Sequence, residues 1–289
     1  MYYSPLRYPG GKGKLAPFME LLIDKLDLRG GTYIEPFAGG AGIALDLLFN
    51  EVVGHIVIND YDKAIASFWK AVLKENQRFV DAIYNIPLNI EEWNRQRDIL
   101  KSSNKYSFEY GFAAFYLNRT NRSGIINGGP IGGKQQAGDW KLDVRFNRED
   151  LAERVIAIGQ RKGDISVYNK DVHSLIVNYV PTYGKKTLIY FDPPYFEKGK
   201  QLYMNYFSFQ DHERIEKLIR EHVECNWLIT YDNAPEIMRI YDGYDIRQYD
   251  LNYSVAKKRI ASELMIFPND SFCPTNEEMD ERNICINLR

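Results

Sequence analysis

The apolar run TLIYF (187–191) ends in Asp192-Pro193-Pro194-Tyr195. Ligands of open α/β sheets bind beyond the carboxyl ends of strands. Two prolines fix φ and remove amide donors, so a carboxylate, a stiff carbonyl and an aromatic face are held close together. That combination suits a planar, amino-bearing ring: the oxygens accept from an exocyclic NH2 while the tyrosine stacks. The plainer alternative is a proline-stabilised turn with an incidental acid.

A second candidate is Glu35-Pro36-Phe37-Ala38-Gly39-Gly40-Ala41-Gly42. Glycines let backbone approach a ligand closely at a helix N-terminus. The spacing is neither GxGxxG nor a P-loop. Asp60 follows Gly42 by 18 residues at the tip of HIVIND. It suits a pair of ribose hydroxyls, or equally the N-cap of a helix starting near Asp62. A third candidate, RYPGGKGK (7–14), holds Arg7, Lys12 and Lys14 and no acid. By itself it also reads as a flexible basic segment.

The elements that must position these residues alternate. Apolar spacing predicts a helix over 13–28, a strand over 32–37, a helix over 43–50 and a strand over 55–60. This is a βαβ unit of the nucleotide-binding kind. Helical patterns follow at 62–74, 76–85, 91–101 and 106–118, then a Gly-rich polar stretch over 121–147. A loop so long is functional or mobile. Strand patterns resume at 164–169, 187–192, 225–231 and 263–268, with an amphipathic helix at 210–223. An α/β unit interrupted by a helical insertion results.

The 289 residues carry 37 Lys+Arg against 39 Asp+Glu, which excludes a binder driven by a basic tail but not one with a local basic face. Residues 119–148 hold six Lys/Arg against Asp139 and Asp143. Cys225, Cys273 and Cys285 form no CxxC pair, so reduced thiols are expected, and no metal site. Neither a signal peptide nor a membrane span is evident, and a cytoplasmic protein is expected.

RYPGGK, EPFAGG, IVIND, a helical insertion and FDPPY follow the motif order of Dam-like (D12 class, α-group) N6-adenine-specific DNA methyltransferases. The chain resembles that family over roughly residues 5–268, and FYLNRTNRSGI (115–125) is similar to its LNR…G element. The resemblance implies a Rossmann-like α/β methyltransferase sheet, mostly parallel and seven-stranded with an antiparallel edge strand. Residues 1–61 and 150–289 would form the catalytic domain, and 62–149 a helical target-recognition insertion. S-adenosylmethionine is the implied cofactor. Tyr8 and Lys12 fall on cofactor-contact positions, Phe37, Gly39 and Gly40 would lie by the methionine part, and Asp60 would hold the ribose hydroxyls. Asp171 would border the cofactor's adenine, and Asp192 would serve cofactor and target base.

The implied reaction is site-specific methylation of adenine N6 in double-stranded DNA, in a restriction-modification, orphan or phage setting. An adenine paired in the duplex must be flipped out first. Asp192 and the Pro193 carbonyl would accept from N6, Pro194 would stiffen the turn and Tyr195 would stack on the base, with in-line transfer and no covalent intermediate. DNA would meet Asn118, Arg119, Arg122, Lys134, Lys257 and Lys258, although any single lysine could merely be solvated. No obligatory protein partner is implied. GATC-reading relatives continue into an arginine-containing stretch; here Ser123-Gly124-Ile125-Ile126 runs into Asn127-Gly128-Gly129-Pro130, so a site other than GATC is expected. An rRNA base methyltransferase is an alternative, opposed by RYPGGK and the long insertion. A DNA-binding module with a vestigial cofactor pocket is another, opposed by Lys12, Gly39, Asp60 and the complete DPPY.

Overall fold

The computed structural model describes residues 3–7, 12–102, 106–196, 207–253 and 259–289. Seven strands form one sheet: β1 (Thr32–Glu35), β2 (His55–Asn59), β3 (Ile165–Tyr168), β4 (Thr187–Phe191), β5 (Asn226–Asp232), β6 (Asp245–Tyr253) and β7 (Arg259–Phe267). Their order is β3-β2-β1-β4-β5-β7-β6. Neighbours are parallel except around β7, which runs antiparallel to both β5 and β6. This is the Rossmann-like methyltransferase sheet that the resemblance implied. β6 was not apparent as a strand: DIRQYDLNY interleaves charge with apolar residues, because an edge strand needs only one buried face.

Period-two alternation sends successive side chains to opposite faces. Tyr33, Ile56, Ile58 and Leu188 join one apolar cluster, and Ile34, Val57, Ile189 and Phe191 the other. The first face is covered by α1 (Ala16–Lys25) and α2 (Gly42–Phe49), and the second by α8 (Val172–Asn178) and α9 (Phe209–His222). The helix expected over 13–28 is shorter: a 3-10 turn covers Gly13–Leu15, Pro17 sits at the start of α1, and Asp27 turns to φ +53° beyond its end.

The helical segment comprises α3 (Lys63–Lys74), α4 (Asn76–Asn85), α5 (Ile90–Ser102) and α6 (Phe108–Thr120). A further helix, α7 (Arg148–Gln160), was not anticipated, although Leu151, Ala152, Val155 and Ile158 recur at helical spacing and are buried. Phe68 and Trp69 of α3 belong to the same cluster as Leu15, Leu45 and Ile58. The Trp69 indole donates to the Gly39 carbonyl at 3.0 Å. Residues 62–149 therefore share a core with the sheet. Among the described residues, no helix is long and apolar enough to cross a membrane.

Candidate active site

Strand order reverses between β1 and β4: β2 and β3 lie to one side, β5 to the other. Such a switch point opens a crevice beyond the strand ends. A cavity of about 560 Å³ lies there. Four carboxylates that end or follow four adjacent strands line it: Glu35 at the end of β1, Asp60 after β2, Asp171 after β3 and Asp192 after β4. Lys12, Phe37, Gly40 and Pro194 share the lining.

Local backbone explains how each acid is held. The turn between β1 and α2 places Gly39 at φ +48° and Ala41 at φ +46°, and the Glu35 carboxylate accepts from the Ala44 N–H at 3.1 Å, tying β1 to the first turn of α2. Asp62, not Asp60, caps α3, accepting from the Ala64 N–H. Asp60 instead accepts from the N–H groups of Gly39 (2.9 Å) and Asp62 (2.8 Å), which fixes it against the glycine turn. Asp171 caps α8 through the Ser174 N–H at 3.0 Å. Burial pushes the Glu35 carboxyl up to about 8, with the charge of Asp192 adding to it. Burial likewise takes Asp60 to about 7, helped by Asp62. Asp192 rises to about 6 through burial, against the pull of Lys12, with Glu263 raising it further.

Around Asp192 the sequence foresaw only part of the arrangement. Thr230 of β5 donates to Asp192 Oδ1 at 3.0 Å, and Tyr190 hydrogen-bonds Thr230 at 2.8 Å. Tyr195, expected to offer its ring for stacking on the base, is only 8% exposed, and its hydroxyl donates to Glu263 Oε1 at 2.8 Å. The Lys12 ammonium contacts the same hydroxyl and Glu263, and lies 4.9 Å from the centre of the Tyr195 ring. Pro193 is buried and Pro194 half-buried. Glu263 and Tyr249 were missed, although an acid opening the apolar run ELMIFP is a signal that could have found the first. Tyr8, Lys257 and Lys258 lie outside the described residues.

The family model for D12 class N6 adenine-specific DNA methyltransferases matches residues 8–255. The chain belongs to this family. It is 23% identical over 278 residues to the type II methyltransferase M.MjaIII of Methanocaldococcus jannaschii, covering 88% of this chain and 91% of that protein. The rRNA methyltransferase aviRa from Streptomyces viridochromogenes superposes with a TM-score of 0.40 at 14% identity, over 92% of this chain and 88% of that one.

The helical wall of this D12-class methyltransferase departs from expectation. Asn118 and Arg119 were expected at the DNA, but both are buried. Asn118 accepts from the Arg7 N–H (2.7 Å) and donates to the carbonyls of Arg7 and Gly124 (2.8 Å each). Arg119 donates to the Arg145 carbonyl at 2.7 Å and to that of Pro5 at 3.5 Å. Among the described residues these segments lie outside the strands, and buried backbone carbonyls require donors from somewhere. Asn121 plays the same part, holding the carbonyls of Ile125 and Ile126 and accepting from Trp93. Arg122 and Lys134 are exposed, as are Lys141, Arg145 and the 69% exposed Trp140.

Proposed function

We propose that this methyltransferase moves a methyl group from S-adenosylmethionine to N6 of an adenine flipped out of double-stranded DNA, at a site other than GATC. One observation carries the reading: the cavity at the switch point holds Asp60 and Asp192 together, beside the glycine turn. The residues fit S-adenosylmethionine. Its ammonium and sulfonium are cations and the cavity is lined by six acids, Asp62 and Asp211 besides the four at strand ends; its ribose offers a diol to Asp60, which two N–H donors hold fixed. Phe37 and Val172 supply apolar wall, Gly39 and Gly40 allow close backbone approach, and Asp171 borders the same space. When bound, the cofactor supplies an electrophilic methyl on a positively charged sulfur.

The chain's own part is positioning. Ionised Asp192, with Oδ1 fixed by Thr230, accepts from the adenine amino group beside the rigid Pro193-Pro194 carbonyls, and Tyr195 anchors the end of the tetrapeptide through Glu263. Unstacking the base costs a few kcal/mol, offset by contacts in the pocket. Arg122 and Lys134 meet phosphates, which set affinity and register. Asn127-Gly128-Gly129-Pro130 offers no arginine to read guanine, which supports a site other than GATC.

Tritiated methyl transfer to duplex DNA and to structured RNA, followed by modification-sensitive sequencing of DNA from expressing cells, tests this. N6-methyladenine in one non-GATC context is expected. Label in RNA alone would replace the reading with rRNA base methylation, and methylation of GATC would remove the specificity assigned.

A further inference from the structure

We infer that Glu263 and Tyr249, on the β6–β7 hairpin, are positioning residues for methyl transfer: they hold the Lys12 ammonium and the Tyr195 hydroxyl, so that Asp192 meets the substrate as an acceptor and not as half of an ion pair. The inference rests on the proposed role of Asp192 and assigns new residues to it.

Topology makes the contact possible. The carboxyl ends of parallel strands face the cavity, so an antiparallel strand brings its first half to that end. Asp232, the last residue of β5, is in register with Glu263, the fifth residue of β7. Glu263 is 0% exposed and Lys12 6% exposed. A buried ion pair persists only where its remaining hydrogen-bonding capacity is met. Here each carboxylate oxygen has a hydroxyl donor: Tyr195 donates to Glu263 Oε1 at 2.8 Å, and Tyr249 to Oε2 at 2.8 Å, the oxygen that Lys12 also contacts.

Two carboxylates thus compete for one ammonium. Lys12 is in contact with Glu263, yet 3.9 Å from Asp192 Oδ1, beyond hydrogen-bond distance. Its third neighbour is the Tyr249 hydroxyl at 3.5 Å. Removing the Glu263 charge would leave Asp192 as the nearest anion to Lys12. The ammonium would then occupy an acceptor oxygen that the adenine amino group needs. Among the described residues, Thr230 on β5, Tyr190 on β4 and Glu35 on β1 also act on Asp192, and none of these three is a cation. The shifts agree in direction, since Glu263 raises Asp192 and Lys12 lowers it.

The experiment uses the intact chain and its Glu263→Gln, Glu263→Asp and Tyr249→Phe variants, with kcat on duplex DNA measured against pH and S-adenosylmethionine binding by calorimetry. Loss of a hydrogen-bonded charge predicts kcat lower by about 10- to 100-fold in Glu263→Gln, with cofactor affinity within about threefold. The acid limb of its profile should move about one pH unit lower, because Lys12 then favours ionised Asp192 more strongly. Glu263→Asp should recover part of both effects. Tyr249→Phe leaves no charge unpaired and should show a smaller change in the same direction. A folded Glu263→Gln with parental kcat, or with reduced kcat and an unmoved acid limb, overturns the inference. If Glu263→Gln does not fold, an unmoved limb in Tyr249→Phe does so. No transfer to duplex DNA by the parental chain would overturn the proposed function and this inference together, whereas parental activity with unresponsive variants removes the inference alone.

Discussion

The two walls of the cleft use polar residues in opposite ways. On the sheet side, Glu35, Asp60 and Asp192 end strands whose backbone is paired in the ladder, so their carboxylates line the cavity and burial raises their pKa values. On the helical side, Asn118, Arg119 and Asn121 are committed to carbonyls of irregular segments at 5, 7, 124–126 and 145. The acids bind backbone too, Glu35 one N–H and Asp60 two, but a carboxylate keeps acceptor capacity beyond that, whereas both donor hydrogens of the Asn118 amide are spent on carbonyls. Beyond this bracket, Arg122 and Lys134 face solvent.

The sharpest way to break that contrast is at Asp192. Asp192→Ala should reduce transfer by about 10³-fold or more while DNA affinity and melting temperature stay close to parental, since the loss is of an interaction made at the reacting group. Normal turnover would remove Asp192 from the chemistry. On the other wall, Asn118→Ala removes three hydrogen bonds to backbone groups of Arg7 and Gly124, and unfolding free energy should fall by about 2–4 kcal/mol. Denaturant titration measures this; unchanged stability with selectively lost DNA binding would return Asn118 to the DNA face.

Smaller effects belong to the exposed loop. Arg122→Ala and Lys134→Ala should each change stability by less than about 0.5 kcal/mol. Each should reduce by about 1 the slope of log affinity against log salt, read by fluorescence anisotropy. An undiminished slope would mean solvated side chains. The mildest test is pH. With ionised Asp192 as the proposed acceptor and its pKa raised to about 6, kcat should climb about tenfold from pH 5 to pH 8. The stability linkage has the opposite sign: these raised carboxyls bind protons more tightly folded than unfolded, so their contribution falls as pH rises from about 4 through 6–8. A melting temperature rising across that window would contradict it.

Much of this was legible locally. Strand-end acids, the glycine turn and the amphipathic faces of α3–α6 follow from short-range periodicity, which is why β1, β2 and β4 were found with their tips. β6 was hidden because an edge strand mixes polar and apolar residues, and α7 because it follows a long Gly-rich stretch without a break in polarity. The proximity of Arg119 to a recognisable motif suggested DNA, whereas its donors serve carbonyls of Pro5 and Arg145.

The sequence by itself determined the class of chemistry, because DPPY at a strand end and EPFAGG before a helix are contiguous segments whose geometry is set by their own prolines and glycines. Tertiary structure alone decided which charges meet. Lys12, Tyr195, Tyr249 and Glu263 are scattered along the chain and converge because β7 runs antiparallel to β5, which brings Glu263 to the cavity end of the sheet. Local pattern records that β7 is a strand; its direction is set by the pairing of distant segments, and that direction places Glu263 beside Lys12.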